Sequence, residues 1–199
     1  MEKKKFDARM ICMIGIMAAL VFVGTNLRVK IPAGADGVML HFGNVFCILS
    51  GLLFGGVPGG LAAGIGSGLF DLTSEYASEA WITFITKFAM GFVAGLLANG
   101  FFVKAKRQDA TTADMQKKDK GMLRTAFAAI CGSLTYVVLY VIKSIIMQRF
   151  VYGLPWEGVW PIVLVKGSVS LTNGIIAVIA SLILAAALRP ALKRARILP

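Results

Sequence analysis

The chain has 199 residues, of which 57% are hydrophobic and only 16% are charged. A soluble domain of this composition would have too little polar surface to cover itself, so the long apolar runs indicate an integral membrane protein. The formal net charge of +11 comes from basic residues that cluster at the ends of apolar segments. That distribution is a signal of membrane topology and argues against a nucleic-acid partner.

Six apolar segments are predicted to cross the membrane as helices. They cover about residues 10–27, 43–57, 58–72, 81–103, 123–150 and 160–188. The second and third are short and are separated only by the turn Val57–Gly60, so we expect a helical hairpin embedded among the others. The predicted fold class is therefore an all-α integral membrane protein, with six transmembrane helices in a single membrane domain over residues 1–199.

The basic residues also predict the orientation of these helices. Most of the 21 Lys and Arg residues lie before the first segment, between the fourth and fifth, and after the last. Because such residues favour the cytoplasmic side, both termini are expected to be cytoplasmic, which requires an even number of spans. The polar stretch 104–122 is then a cytoplasmic linker between two halves of the chain.

Three lysines interrupt the outer parts of the last three helices. Lys87, Lys143 and Lys166 all start about 9 Å below the outer helix ends, at a rise of about 1.5 Å per residue. A charged group at membrane depth is costly and usually faces a cavity or a counter-ion. The same helix faces carry further polar and aromatic candidates for substrate binding, namely Thr83, Tyr136, Tyr140, Ser170 and Asn173. This pattern predicts an outward-opening cavity suited to a small polar ligand.

The lysines could also have a purely structural role, in either of two ways. Each side chain is long enough to bring its ammonium group to the membrane surface. Three acidic residues on the same side could also form ion pairs with them, namely Asp71, Glu75 and Glu79. Asp71 is in addition a candidate for the cavity wall.

The first outer loop, residues 28–42, is irregular in sequence but apolar in much of its length. An apolar external loop should fold back, so we predict a lid over the cavity with His41 and Asn44 at its floor. For His41 we favour a capping or hydrogen-bonding role over direct ligand contact. It is the only histidine of the chain, so neither a metal site nor a cofactor is expected.

Small residues at a spacing of four mark close helix packing. The glycines of the third and fourth segments are interpreted as internal contacts. In the first segment, Gly15, Ala18 and Ala19 form a seam that could dock a partner subunit.

The chain has no phosphate-binding G-x-x-x-x-G-K-[ST] motif and no G-x-S-x-G or H-E-x-x-H motif, so an ATPase or an enzyme is not indicated. A binding cavity without an energy source suggests a subunit that captures a ligand for another machine.

Three stretches carry a family resemblance: KKKFDARMICMIGIMAALVFVGT, LHFGNVFCILSGLLFGGVPGGLAAGIGSGLFDL and WITFITKFAMGFVAGLL. With them the chain resembles the substrate-binding S component of energy-coupling factor (ECF) vitamin transporters, in particular the riboflavin-type group. The resemblance implies a multi-pass protein of a prokaryotic cell membrane that binds a water-soluble vitamin or precursor under a first-loop lid.

The same resemblance implies partners. The family acts with a transmembrane coupling protein (T component) and two cytoplasmic ATPases, and docks through an Ala-x-x-x-Ala motif to which Gly15-x-x-x-Ala19 is the nearest match. The ligand is left open among riboflavin, pantothenate, pyridoxine and a thiamine-precursor pyrimidine. The alternative function is a stand-alone small-molecule transporter or channel, and a membrane enzyme or an assembly scaffold is the other rival class.

Overall fold

The computed structural model describes residues 8–34, 37–100 and 114–195. These form six helices and one two-stranded hairpin in the order α1, β1, β2, α2, α3, α4, α5, α6. The bounds are α1 Ala8–Asn26, β1 Arg28–Ile31, β2 Val38–His41, α2 Gly43–Phe54, α3 Gly56–Leu72, α4 Ala80–Asn99, α5 Asp114–Ile146 and α6 Trp156–Arg194. A 3₁₀ turn, Ala77–Glu79, precedes α4, and a π-helical turn, Met147–Val151, follows α5.

Four of the helices are long and apolar enough to cross a membrane. They are α1, α4 together with its 3₁₀ turn, α5 and α6. The other two are shorter, because α2 has 12 residues and α3 has 17. At about 1.5 Å per residue α2 is about 18 Å long, less than the hydrocarbon core of about 30 Å. Four of the six predicted segments therefore have spanning length, and α2 and α3 form the predicted short hairpin.

The loop between α1 and α2 contains regular strands, which the all-α prediction did not include. β1 and β2 pair antiparallel, with Arg28 opposite His41 and Ile31 opposite Val38. The β-branched and apolar residues of this loop favour extended backbone, and Gly34 and Gly37 provide positive φ angles of 70° and 64° where the chain reverses. The described part of the protein is thus mostly helical, with one small hairpin directly after α1.

Two predicted boundaries are wrong. The break between α2 and α3 lies at Gly55, whose φ of 91° suits glycine, and Pro58 sits inside the first turn of α3, where its missing N–H is not needed. The predicted linker, residues 104–122, is already helical from Asp114 onward, because this stretch is rich in residues with good helix propensity. The rest of the linker prediction, residues 104–113, lies outside the described residues.

Backbone-to-backbone contacts hold α2, α3 and α4 together. A Cβ atom added to Gly51 would lie 2.3 Å from the carbonyl oxygen of Gly91, and one added to Gly95 would lie 2.4 Å from the carbonyl carbon of Gly55. Such approaches are possible only without side chains, and they supply dispersion contacts where lipid gives no hydrophobic driving force. The prediction that the glycines of the fourth segment serve internal packing is confirmed for Gly91 and Gly95.

The hairpin lies at one end of the bundle, and Arg124 and Arg189 lie at the opposite, arginine-rich end. At the arginine-rich end the Leu52 carbonyl, near the end of α2, accepts hydrogen bonds from Asn99 Nδ2 and Arg189 Nη2, and Arg124 Nε donates to the Leu97 carbonyl. The hairpin lies at the other end, beside the end of α3, the start of α4 and the first half of α6. Any ligand site beneath the hairpin is therefore remote from the arginine-rich end.

Candidate functional site

A small cavity lies beneath β2, between the hairpin and helices α3, α4 and α5. Its volume is about 60 Å³, room for a few water molecules. The sequence-predicted residues that line it are His41, Asp71, Thr83, Lys87, Tyr136, Tyr140 and Lys143. These residues come from the hairpin and from all three of the helices α3, α4 and α5.

Lys87 is the central cation of this cavity and is only 5% exposed. Its ammonium Nζ donates a hydrogen bond to the side-chain carbonyl Oδ1 of Asn44 and lies 3.6 Å from the centroid of the Tyr136 ring. Both contacts stabilise a positive charge, the first through an oxygen dipole and the second through the electron-rich ring face. Lys87, about two turns into α4, is therefore held inside the protein.

Lys143 has a different environment, because its ammonium pairs with the Glu79 carboxylate. The two side chains are 13% and 9% exposed. The ion pairing that the sequence left open is thus realised for Lys143, and both partners still line the cavity. The Lys143 ammonium also lies 5.8 Å from the Tyr140 ring, which is 5.6 Å from the ring of Tyr136.

Asn173 on α6 holds the hairpin rather than the cavity wall. Its Nδ2 donates to the Met39 carbonyl over 2.7 Å, and its Oδ1 accepts from the His41 backbone N–H over 3.0 Å. Residues two apart on a strand present their backbone groups to the same side, so this amide completes the edge of β2 that β1 leaves unpaired. The hairpin is thereby fixed over the cavity.

His41 makes a local hydrogen bond at the start of α2. The Gly43 N–H donates to its Nδ1 over 3.1 Å, so the ring proton belongs on Nε2. Burial, followed by the positive charges of Lys87 and Arg28, holds the pKa of His41 well below its ordinary value. The ring is consequently neutral at pH 7, and it forms part of both the cavity wall and the helix start.

The remaining sequence-predicted residues lie behind the walls. Asn44 is fully buried and reaches the cavity only through Lys87. Lys166 and Ser170 lie on α6 with 1% exposure each, and neither lines the cavity. The three lysines share a depth along the sequence, but only Lys87 and Lys143 of them line the cavity.

Several lining residues were absent from the predicted set. They include Glu79 in the 3₁₀ turn, Tyr76 and Thr86, together with Thr25 and Ser67 from α1 and α3. Glu79 had a sequence signal, since an acidic residue near an outer helix end was considered as a partner for a lysine. The small hydroxyl residues had none, because Ser and Thr are common on packed membrane helices.

A larger hollow of about 570 Å³ adjoins the cavity at the surface. Its walls include Lys30 and Glu75, an ion pair whose side chains are 52% exposed, and it shares Gly37, Val38 and Glu79 with the cavity. Bonding to Lys30 holds the pKa of Glu75 below its ordinary value. The hollow is therefore a polar, charged vestibule beside the hairpin.

The predicted docking seam on α1 divides between two faces. Gly15 and Ala19 are exposed, and a Cβ added to Gly15 would meet nothing within 4 Å. Ala18 is 5% exposed, and its carbonyl oxygen lies against α3 at Gly66. The outward seam thus consists of Gly15 and Ala19, flanked by the exposed side chains of Ile11, Ile16 and Leu20.

Within residues 8–34, 37–100 and 114–195, no group of three His, Cys, Asp or Glu side chains could hold a metal ion. The three cysteines are free thiols, and Cys47 is buried beside Ser67. The groups that line the cavity offer hydrogen bonds, aromatic rings and charges.

Comparison with known proteins gives one family that matches nearly the whole chain and several relatives that match over part of their length. The family described as ECF-type riboflavin transporter, S component, matches residues 5–190. UPF0397 proteins of Lactiplantibacillus plantarum and Enterococcus faecalis are each 34% identical, over 49% and 57% of this chain and 52% and 60% of their own lengths. A Pyrococcus woesei protein described as an uncharacterized protein in a gap 3' region is 37% identical over 38% of this chain and 51% of its own.

These matches to curated relatives span about half of each relative's length, whereas the family match covers nearly the whole chain. The family's members are substrate-binding subunits of transporters and not enzymes. A multi-pass membrane location agrees with the four helices of spanning length. The chain belongs to the S-component family of ECF-type riboflavin transporters.

Proposed function

We propose that this protein captures a small neutral vitamin with a flat ring, riboflavin first, in the cavity beneath the hairpin. It then delivers the vitamin through a T component and two ATPases, as the substrate-capture subunit of an ECF importer. The observation that carries the proposal is the Lys87 ammonium held 3.6 Å from the Tyr136 ring inside the cavity.

The aromatic residues favour a ring-shaped ligand. Tyr136 and Tyr140 lie one helical turn apart on α5, with ring centroids separated by 5.6 Å. Two adjacent tyrosine faces offer a stacking surface for a heterocycle, and the Lys87 ammonium provides a donor at its edge. An isoalloxazine ring, with its carbonyl and ring-nitrogen acceptors, meets both requirements.

The charges of the cavity favour a neutral ligand over an anion. Its walls carry Lys87 and Lys143 together with Asp71 and Glu79, so the formal charges balance. Lys143 is already neutralised by Glu79, and Lys166 lies elsewhere. Of the three lysines, one is paired and one is outside the cavity, so riboflavin or pyridoxine is a better match than a carboxylate such as that of pantothenate.

Ligand access requires the hairpin to move. Ligand pockets usually measure about 300–1,000 Å³, whereas the closed cavity holds about 60 Å³. The vestibule leads to it past Gly37 and Val38 of the hairpin, and the Asn173 amide ties β2 to α6 through two hydrogen bonds. We infer that residues 28–42 act as a lid that swings outward from α6.

The proposed orientation puts the hairpin outside the cell and the arginine-rich end in the cytoplasm. Arg124 and Arg189 lie at the end opposite the hairpin, in agreement with the preference of basic residues for the cytoplasmic side. The helices α2 and α3 together return the chain to the side from which it entered. This assignment therefore holds whether the two helices cross the membrane fully or form a re-entrant hairpin. Six membrane helices with both termini cytoplasmic is the corresponding topology.

Titration of the purified chain with riboflavin tests the proposal, since ring stacking on tyrosine quenches flavin fluorescence. Pyridoxine, pantothenate and a thiamine-precursor pyrimidine are compared by thermal shift. We expect saturable binding of riboflavin, weakened by Lys87→Met and by Tyr136→Leu but unaffected by Lys30→Met in the exposed vestibule pair. Preferential binding of pantothenate, or equal loss with all three variants, would refute the neutral-ring proposal.

Transport by the chain alone in liposomes would favour the stand-alone transporter instead. Under the capture proposal, uptake requires the T component and the ATPases, and the isolated chain binds without transporting.

A further inference from the structure

Asn44 occupies an unusual position for its residue type. It lies in the first turn of α2 and is fully buried, and its Oδ1 accepts the hydrogen bond from Lys87 Nζ. Asparagine near a helix start commonly bonds the helix's own N–H groups. Here no side chain caps α2 at its N-cap residue, and His41 Nδ1 takes the Gly43 N–H. The Asn44 carbonyl is thus left for Lys87.

The same side chain imposes a cost on stability. Asn44 Nδ2 is buried and has no hydrogen-bond partner among the described residues. An unpaired buried donor destabilises a fold, so an apolar residue would serve packing better at this position. Residues that break a local rule in this way are commonly held by function.

We propose that Asn44 is a positioning residue, which holds the Lys87 ammonium over Tyr136 without neutralising its charge. An ammonium group has three N–H donors. One bonds Asn44 Oδ1 and the Tyr136 ring face takes up another, which leaves one for the cavity that Lys87 lines. The ligand class is then a neutral ring with a carbonyl or ring-nitrogen acceptor at its edge.

The contrast with Lys143 supports this assignment. Glu79 neutralises Lys143 with a carboxylate, whereas Asn44 offers Lys87 only a dipole. A neutral oxygen fixes the position of the cation and leaves its charge to act on the ligand. The two lysines of the cavity therefore have different roles, Lys143 in structure and Lys87 in recognition. Only this recognition step rests on the proposed function.

The positioning step is tested without any ligand, by NMR of protein carrying lysine labelled with ¹³C at Cε. Protons above an aromatic ring resonate upfield, and the Lys87 signal is assigned by its absence in Lys87→Met. We expect the upfield signal in the wild type and in Asn44→Asp, which keeps the acceptor. In Asn44→Leu it should move to the position of exposed lysines. An unchanged signal in Asn44→Leu would overturn the proposal.

The recognition step is tested with riboflavin. Lys87→Met and Asn44→Leu should each weaken binding about tenfold, the worth of one hydrogen bond to a charged group. The double variant should bind no more weakly than Lys87→Met alone, because both changes remove the same interaction. Multiplied losses would show that Asn44 acts independently of Lys87, and would contradict the proposal.

Asn44→Asp separates position from charge. It should weaken riboflavin binding although the NMR signal of Lys87 stays in place, and wild-type affinity in this variant would contradict the role of a charge that residue 44 leaves unneutralised. If Asn44→Leu alone fails to fold, the double variant with Lys87→Met removes both buried polar groups and is expected to fold. If the wild type binds no vitamin, the proposed function fails, while the NMR experiment still decides the positioning of Lys87.

Discussion

The Lys143 ammonium on α5 and the Glu79 carboxylate before α4 form an ion pair that is nearly closed to solvent, with side chains 13% and 9% exposed. A buried pair stabilises a fold only weakly as a pair, but removal of one partner leaves the other as an uncompensated charge. We therefore expect Lys143→Met to lower stability by up to about 3 kcal/mol.

The measurement is the thermal or denaturant-induced unfolding of the detergent-solubilised protein. Adding Glu79→Gln to Lys143→Met should recover most of the loss. Lys30→Met provides a matched control, because it breaks a lysine–glutamate pair in which both side chains are 52% exposed, and its effect should be much smaller. Equal losses from the two lysine substitutions would show that burial does not set the strength of these pairs.

Asn173→Leu should release the hairpin from α6. The substitution removes both hydrogen bonds to β2. The His41 backbone N–H, which donates to Asn173 Oδ1 in the wild type, should then exchange with solvent about tenfold faster or more. Hydrogen exchange followed by mass spectrometry of peptides covering residues 37–42 measures this directly.

Thr172→Val is the control for this experiment, because Thr172 is adjacent but exposed, and its hydroxyl bonds only the Ser168 carbonyl of its own helix. Under the proposed function, Asn173→Leu also accelerates association and dissociation of ligand. Unchanged exchange at β2 would mean that packing alone holds the lid.

Acidification should destabilise the protein through His41. Its pKa is lowered in the folded protein, so the unfolded chain binds more protons than the folded one once the pH falls below about 6.5. The stability contribution of the neutral ring is present above that value and is lost as the pH falls towards the lower folded pKa. Protonation would also remove the Nδ1 acceptor for the Gly43 N–H.

Melting temperatures of the wild type and His41→Asn between pH 8 and pH 5 provide the measurement, with the pH values chosen to bracket the usual histidine pKa of about 6.5. Asparagine keeps an acceptor near the Nδ1 position but does not titrate. The wild type should lose stability more steeply on acidification than the variant, and parallel curves would contradict the assignment to His41.

Gly15→Leu should separate binding from transport. A side chain at Gly15 meets nothing within 4 Å, so the fold and the distant cavity should be unaffected. If Gly15 and Ala19 dock the T component, the larger side chain prevents close approach of the helices and abolishes vitamin uptake while binding stays intact.

Gly158→Leu on α6 is the matched control, since a Cβ there also meets nothing within 4 Å. Uptake by cells expressing the complete transporter, together with co-purification of the T component, gives the readout. Normal uptake with Gly15→Leu would place the docking surface elsewhere on the chain.

Much of the fold could be predicted from hydrophobic length alone. The four long helices lie close to their predicted positions, because about 20 apolar residues are a strong signal. The hairpin was missed because its strands have only four residues each, too few to show a clear alternation among irregular neighbours. The start of α5 was missed because a polar helix and a polar linker share much of their composition.

The site was predicted in part for a similar reason. Depth along a helix follows from residue number, so the level of Lys87, Lys143 and Lys166 could be calculated from the sequence. The rotation of each helix about its axis is set by its neighbours, and α6 presents Asn173 to the hairpin instead of to the cavity. The partner of Lys143 was foreseen only as one of three acidic candidates, because the 3₁₀ turn that brings Glu79 inward has no distinctive sequence.

The glycine contacts among α2, α3 and α4 have a consequence for how this protein can change over evolutionary time. Positions such as Gly51 and Gly95 admit no side chain, so that part of the scaffold accepts almost no substitution. Tyr136 and Tyr140 enter the cavity from α5 as side chains. New ligand preferences can therefore arise by replacing the side chains that line the cavity, while the closely packed backbones of α2, α3 and α4 keep their arrangement.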